Sequence, residues 1–342
     1  MSDGAGAGDT RSTEPPPPLR QAAVGPAVGG LVLSSMAGVL IRVYLTRLFT
    51  YAGQPIYGLV WAQMAGCLIM GAAVQRRAAL ARWSPALALG VTTGLCGSIT
   101  TFSSWQLLVF WQFFNTDGSD HSHFRNFLGG ASVLASTLAC AIGALRLGQL
   151  VAGKPRRRRS SIAAPPESSL RPAVDAALVA LGVAAAAAAS VVVGVAASTR
   201  SVSIALLFGC VGTLARWQLA RLNAGTAAAA VRGLPLGTFT ANALGCAVLA
   251  VVHVLQTGAV AWPSKPSCDV LAALADGLCG CLTTVSTFAV EIVQLPPKKS
   301  VLYAALSIVA GQAFFLLVAG IYFKTATVDY ATCLPVPAGR LV

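Results

Sequence analysis

Charge is what this sequence has least of. Only 10% of its 342 residues are charged while 56% are hydrophobic, and a soluble domain ordinarily carries about a quarter charged residues. Water is therefore the wrong solvent for most of the chain. No Cys-x-x-Cys pair occurs among nine cysteines, so nothing has the spacing of a thiolate metal site. Cys67, Cys96, Cys140, Cys210, Cys246, Cys279 and Cys281 lie in apolar stretches, where cysteine acts as a small packing residue. A glycine loop of the nucleotide-binding kind is absent, as is any catalytic cluster, which argues against an enzyme or a driven pump. Alternating ten-residue strands are also missing, which excludes a membrane barrel.

What is present comes in apolar blocks of about twenty residues, the length that crosses a bilayer core of about 30 Å. In lipid each backbone amide must be paired within its own segment, so the blocks are expected to be helices. Proline, glycine and charge punctuate them near 24–47, 56–75, 84–112, 125–147, 173–197, 201–221, 235–257, 269–295 and 300–323. The fold class expected is an all-α polytopic membrane protein with nine transmembrane helices.

The net charge of +13 is concentrated in connections. With the N-terminus in the cytoplasm, inner loops carry Arg76, Arg77 and Arg82, then Arg146 to Arg171, Arg221 and Arg232, and Lys298 and Lys299. Outer loops carry little basic charge, which obeys the positive-inside rule. The run Lys154-Pro155-Arg156-Arg157-Arg158-Arg159 then reads as a topology anchor beside anionic lipid rather than a nucleic-acid site. Residues 1–23, with Pro15 to Pro18, are expected to be a disordered cytoplasmic segment without the pattern of a signal peptide. Residues 324–342 form a C-terminal tail on the extracellular side.

The chain resembles itself. Gly38 to Leu48 matches Gly212 to Leu222 at six of eleven positions, including Arg42 with Arg216 and Arg47 with Arg221. Gly94 to Trp105 matches Gly277 to Phe288 at seven of twelve, around a shared Gly-x-x-Gly-x-x-Thr-Thr. Each match falls in the same helix of its half, so residues 24–148 and 201–323 read as two four-helix repeats. Residues 149–200, with the basic loop and one extra crossing at 173–197, make the repeats antiparallel, a recurrent transporter plan. Asp175 near the start of that helix is assigned to an interface.

Two glycines and two hydroxylated β-branched residues weaken a helix in its middle. Irregular backbone at membrane depth survives only where protein or a polar cavity satisfies it, and freed carbonyls there can hold a cation. A glycine-lined helix contact is the plainer reading of the same residues. For Arg42 and Arg216 the alternatives are snorkelling to head groups and an electropositive vestibule for anions.

These motifs together resemble the CrcB/Fluc fluoride channels in their fused eukaryotic form. The third-helix pattern of that family is similar to Gly97 to Trp105 and to Gly280 to Phe288. Its first-helix Gly-x-x-x-Arg appears as Gly38/Arg42 and Gly212/Arg216, and its second-helix pattern as Gly237-Thr238-Phe239-Thr240-Ala241-Asn242-Ala243-Leu244-Gly245. The resemblance implies a passive fluoride path through the plasma membrane in a monomer equivalent to a fused dimer. It also implies a structural sodium ion on carbonyls of Gly97, Thr100, Gly280 and Thr283, and no organic cofactor. Along the fluoride path it implies Asn242, Ser103, Thr287, Tyr303 and Ser307 beside the ring edges of Phe102 and Phe288, whose quadrupole is positive at the rim.

Departures from the family pattern make the halves unequal. Gln63 stands opposite Asn242, Leu108 opposite Glu291, Trp105 replaces the second motif phenylalanine, and Val285 replaces the first. Since each pore of the family takes one phenylalanine from either side, Phe102 with Phe288 implies one working pore, and Val285 with Trp105 a degraded one. The rival functions are a proton-coupled carrier using Glu291 or Asp276, and a lipid-binding scaffold. His121 and His123 read as solvated rather than metal-binding. Cys268 and Cys333 share the outer face, where disulfides persist, and a bridge between them is left open.

Overall fold

The computed structural model describes residues 22–115, 122–153, 168–223, 233–257, 264–325 and 333. The basic run 154–159, His121, most of the N-terminal segment and nearly all of the C-terminal tail lie outside these residues. Among the described residues the chain is helical: α1 Val24–Leu48, α2 Leu59–Gln75, α3 Pro85–Phe114, α4 His123–Ala152, α5 Arg171–Val195, α6 Arg200–Leu219, α7 Leu236–Gln256, α8 Lys265–Gln294 and α9 Pro297–Thr325. Eight of these are long and apolar enough to cross a membrane. The remaining helix, α2, is apolar but has 17 residues, about 25 Å of helix. A short amphipathic turn, Arg77–Trp83, joins it to α3.

The surface explains the composition. Val183, Val195, Val309 and Leu317 are each more than 60% exposed on α5 and α9, an arrangement only lipid makes inexpensive. Inside, one apolar cluster links both repeats through Phe102, Trp105, Phe110, Phe288, Tyr303 and Phe315. The outlying α5 is fixed to the start of α3, where Asp175 accepts a hydrogen bond from Ser84 Oγ and pairs with Arg171 at 3.7 Å. Asp175 is thus an interface residue, as its position implied.

The third helix of each repeat is interrupted. In α3 a π-helical stretch, Gly90–Cys96, runs into Gly97–Ile99. Thr100 and Thr101 are then extended (φ −97°, ψ 147° and φ −142°, ψ 127°), and helix restarts at Phe102. In α8 the same sequence of events is Leu274–Cys279, Gly280–Leu282, extended Thr283 and Thr284, and a restart at Val285. The second threonine caps each restart, Thr101 Oγ1 accepting from Ser104 N–H and Thr284 Oγ1 from Thr287 N–H. This is the ordinary preference of threonine for N-caps, used at the centre of the protein.

Glycine brings the first helices against these breaks. A Cβ on Gly38 would collide with Ser98 and the Leu95 carbonyl, and one on Gly212 with the backbone at Leu278 and Leu282. The glycine contact and the helix break therefore coexist.

Candidate functional site

The two breaks lie against each other and complete each other. Thr283 Oγ1 accepts from the amides of Phe102 and Ser103 at 3.0 and 3.1 Å and bonds the hydroxyls of Thr101 and Ser103 at 3.1 Å. Thr100 Oγ1 accepts from Ser286 N–H at 3.1 Å and bonds the hydroxyls of Thr284 and Ser286. All of these threonines and serines are fully buried. Each half thus supplies a hydroxyl acceptor to the amides at the other half's helix restart, in addition to the cap from its own second threonine.

Second helices brace the breaks from outside. Asn242 Oδ1 accepts from Thr284 N–H at 2.9 Å, and its Nδ2 donates to Thr284 O at 3.3 Å. Gln63 makes the same pair with Thr101, at 3.3 and 2.7 Å. The sequence departure at Gln63 is therefore no departure in role; one more methylene still reaches the threonine backbone.

These diversions decide where free acceptors lie. A helix would pair the carbonyls of Gly97, Thr100, Gly280 and Thr283 with the amides four residues on. Those amides, on Thr101, Ser104, Thr284 and Thr287, bond instead to Gln63, Thr101, Asn242 and Thr284 side chains. The four carbonyls singled out in the sequence are thus released from the helical ladder in both halves. Such a donor set, neutral oxygens from two facing breaks, suits a small hard cation.

Arg42 and Arg216 do not line an open mouth, and neither snorkels. Both are about 95% buried or more. Arg216 donates from Nε to Cys281 O and from Nη2 to Thr93 O, each at 2.8 Å. Arg42 donates from Nη2 to Asp276 O. The guanidinium fork suits carbonyls exposed by a π-helical stretch, since one plane can serve two acceptors. The pairing is crossed: Arg216 occupies the space over Gly97 and Arg42 that over Gly280, so a Cβ at either glycine would strike the opposite repeat's arginine.

On one side of the clasp stand the aromatic residues. Phe102 meets Phe288 edge-on, ring centroids 5.3 Å apart, and Phe288 meets Tyr303 at 5.3 Å. Tyr303 donates to Glu291 Oε2 at 2.7 Å while Thr238 donates to Glu291 Oε1 at 2.6 Å. Ser307 Oγ donates back to Tyr303 O at 2.8 Å, the local bond a helical serine favours. Ser103 is buried in the clasp, whereas Thr287 is half-buried on the restart of α8. Trp105 is fully buried, meets the Phe102 ring edge-on at 5.4 Å and donates from Nε1 to Val133 O at 3.2 Å, beside a polar group in which Tyr57 bonds Ser136 and Thr137. The Glu291–Thr238–Tyr303 cluster is a feature the sequence reading left incomplete. Thr238 within the second-helix motif and a lone membrane glutamate were its available signals.

A helical membrane protein whose paired repeats each carry a broken third helix that the other repeat helps to cap defines a class, the two-repeat polytopic membrane proteins. The family follows from comparison: residues 30–144 and 203–321 each match the family described as CrcB-like protein, Camphor Resistance (CrcB). The chain belongs to that family, twice over. Fluoride export protein 1 of Candida albicans is 30% identical over 322 residues, covering 89% of this chain and 82% of the relative. Fluoride export protein 1 of Schizosaccharomyces pombe is 29% identical, over 84% of this chain and 93% of its own. A bacterial relative, Fluoride-specific ion channel FluC 1 of Streptomyces avermitilis, is 40% identical over 94 residues, 27% of this chain and 72% of its own. No solved structure matches the chain.

Replacing Thr283 by valine removes the hydroxyl that caps the restart of α3. The loss of a buried acceptor for two amides should cost about 1–3 kcal/mol. Purified Thr283→Val should lose its monodisperse profile in detergent at a lower temperature than the wild type, and Ser190→Ala, exposed on α5, should not. Equal transition temperatures for Thr283→Val and the wild type would refute the capping role.

Proposed function

We propose that the chain is a fluoride channel of the plasma membrane that lets fluoride leave the cytoplasm passively. The observation that carries this reading is the Phe102–Phe288 contact, one ring from each half, edge toward face at 5.3 Å. Two ring rims at such a site present positive edges to an anion that has shed its water. Relatives named for fluoride export and for a fluoride-specific channel support the same reading, and the proton-coupled carrier finds no support among them. Neutral hydrogen fluoride enters through lipid and ionises inside. An inside-negative potential then drives the anion outward by about 2.3 kcal/mol per charge per 100 mV.

The path runs on the side of Asn242, Tyr303, Ser307 and Thr287, with Ser103 at the clasp. Trp105, whose ring packs on Phe102 and whose indole N–H is bonded to Val133 O, closes the second path. Reconstituted in liposomes, the protein should pass fluoride and exclude chloride. Phe102→Ile and Phe288→Ile should each abolish the flux, and Trp105→Ala and Val285→Ala should leave most of it. Flux surviving in the first pair, or lost in the second, would contradict a single working pore.

A structural sodium ion belongs to this reading, held by carbonyls of Gly97, Thr100, Gly280 and Thr283. Bound there, it supplies a fixed positive charge that ties the two breaks together. Prolonged dialysis into sodium-free potassium buffer should lower fluoride flux and adding sodium should restore it; indifference to sodium would count against the site.

The repeats are inverted and all nine helices cross the membrane, α2 included. Contacts at the helix ends support this. Thr238 and Tyr303, near the starts of α7 and α9, both reach Glu291 near the end of α8. Trp111, near the end of α3, instead meets His253 near the end of α7, and Phe110 meets Phe315 and Phe323 of α9. Thus α3 runs with α7 and α9 and against α8, its repeat-mate. The N-terminus is then cytoplasmic and the C-terminus extracellular, the protein acting as a monomer. Cys268 and Cys333 are disulfide-bonded in the structure, which fits an oxidising outer face. On intact cells a membrane-impermeant thiol reagent should label this pair only after an impermeant reductant. Labelling without reductant, or only after permeabilisation, would contradict the assignment.

A further inference from the structure

Among the described residues three buried N–H donors have no acceptor, Arg42 Nη1 beside the helix breaks and one each on Gln106 and His253, and the last two stand on the extracellular side of the Phe102–Phe288 pair. Gln106 is fully buried one turn beyond Phe102; its Oε1 and backbone carbonyl both accept from Gln312 Nε2, at 2.9 and 2.8 Å, while its own Nε2 bonds nothing. His253 is 2% exposed near the end of α7. Its Nε2 accepts the indole N–H of Trp111 at 3.1 Å. Indole nitrogen only donates, so the imidazole proton sits on Nδ1, and Nδ1 has no partner either. Leaving a buried donor unpaired is destabilising, and such groups in a native structure call for an explanation.

Their placement supplies one. On α9 the positions one and two turns beyond Ser307 are Gly311 and Phe315, which offer no side-chain donor. Gly311 packs on the Gln106 stem and the Phe102 ring, where a Cβ would crowd both. Farther out, Phe110 stacks on Phe315 and Phe323, and Phe323 meets the His253 ring edge-on at 5.6 Å. Gln106 and His253, each held by one polar neighbour, Gln312 and Trp111, therefore stand in order along a mostly aromatic column leading from the phenylalanine pair toward the outer ends of α3, α7 and α9.

We propose that Gln106 Nε2–H and His253 Nδ1–H are fluoride-binding donors that carry the anion from the Phe102–Phe288 pair to the extracellular mouth. This rests on the fluoride-channel reading and assigns residues that the resemblance did not. Trp111 is a positioning residue, fixing the tautomer that leaves Nδ1 protonated. A bare carboxylate or sulfur at these depths would repel a small anion or fail to solvate it, whereas amide and imidazole N–H groups can replace its water.

The test has two arms on the full chain. In liposomes, Gln106→Leu and His253→Leu should each lower fluoride flux about ten-fold or more, the loss of one hydrogen bond to a charged group, while His253→Gln, which keeps an N–H, should retain most of it. Wild-type flux in both leucine variants overturns the proposal, and the function itself fails only if the wild type passes no fluoride or Phe102→Ile passes it freely. The second arm needs no disruption of the core. The sequence has three histidines, so His121→Asn/His123→Asn leaves His253 alone for nitrogen-15 magnetic resonance. Its Nδ1 signal should move on adding fluoride and stay on adding chloride. An Nδ1 signal that fluoride does not move, or that both anions move equally, also overturns the assignment.

Discussion

The constraint on which the rest depends is that a helix broken at membrane depth must find partners for its backbone without water. Each unpaired group there costs several kcal/mol. The chain meets that cost by exchange. The first threonine of each break caps the restart of the other, each arginine reaches into the opposite third helix, and an amide side chain from each second helix takes the threonine backbone. Each half satisfies part of its own break and takes the rest from the other half, so the pairing of halves is built into the breaks. Fusion in one chain removes the association entropy such a pairing would otherwise require.

The same exchange has a functional consequence. Amides diverted to side chains release carbonyls in the centre, suited to a cation, while the restarted helices bring Phe102, Trp105, Val285 and Phe288 into one buried apolar cluster around it. Asymmetry then costs little, because the clasp uses threonine, glycine and arginine positions that both repeats keep. Only the flanking aromatic and polar positions have diverged.

How much of this was legible varies with the kind of contact. The helices were, since twenty-residue apolar blocks have few other uses, and their ends fall within five residues of the expected ones. The breaks were also legible from Gly-x-x-Gly-x-x-Thr-Thr. The partners of Arg42 and Arg216 were not, because their acceptors are backbone carbonyls that leave no mark on residue identity. Gln63 read as a departure because spacing cannot show that a longer amide reaches the same backbone. The Cys268–Cys333 bridge was open, since two cysteines on one face need not be near neighbours. Gln106 and His253 carried only the weak signal of isolated polar residues in apolar helices, and their shared column is built by three helices distant in sequence.

The central claim is that the two clasped halves are inverted, and side-specific labelling tests it most directly. Trp83 just precedes the third helix of the first repeat, Lys265 begins that of the second, and both are exposed. Carried singly into the full-length protein, Lys265→Cys should react with an impermeant maleimide on intact cells and Trp83→Cys only after permeabilisation. Reaction of both from the same side would show that the halves run parallel, and the exchange of caps described above could not then occur.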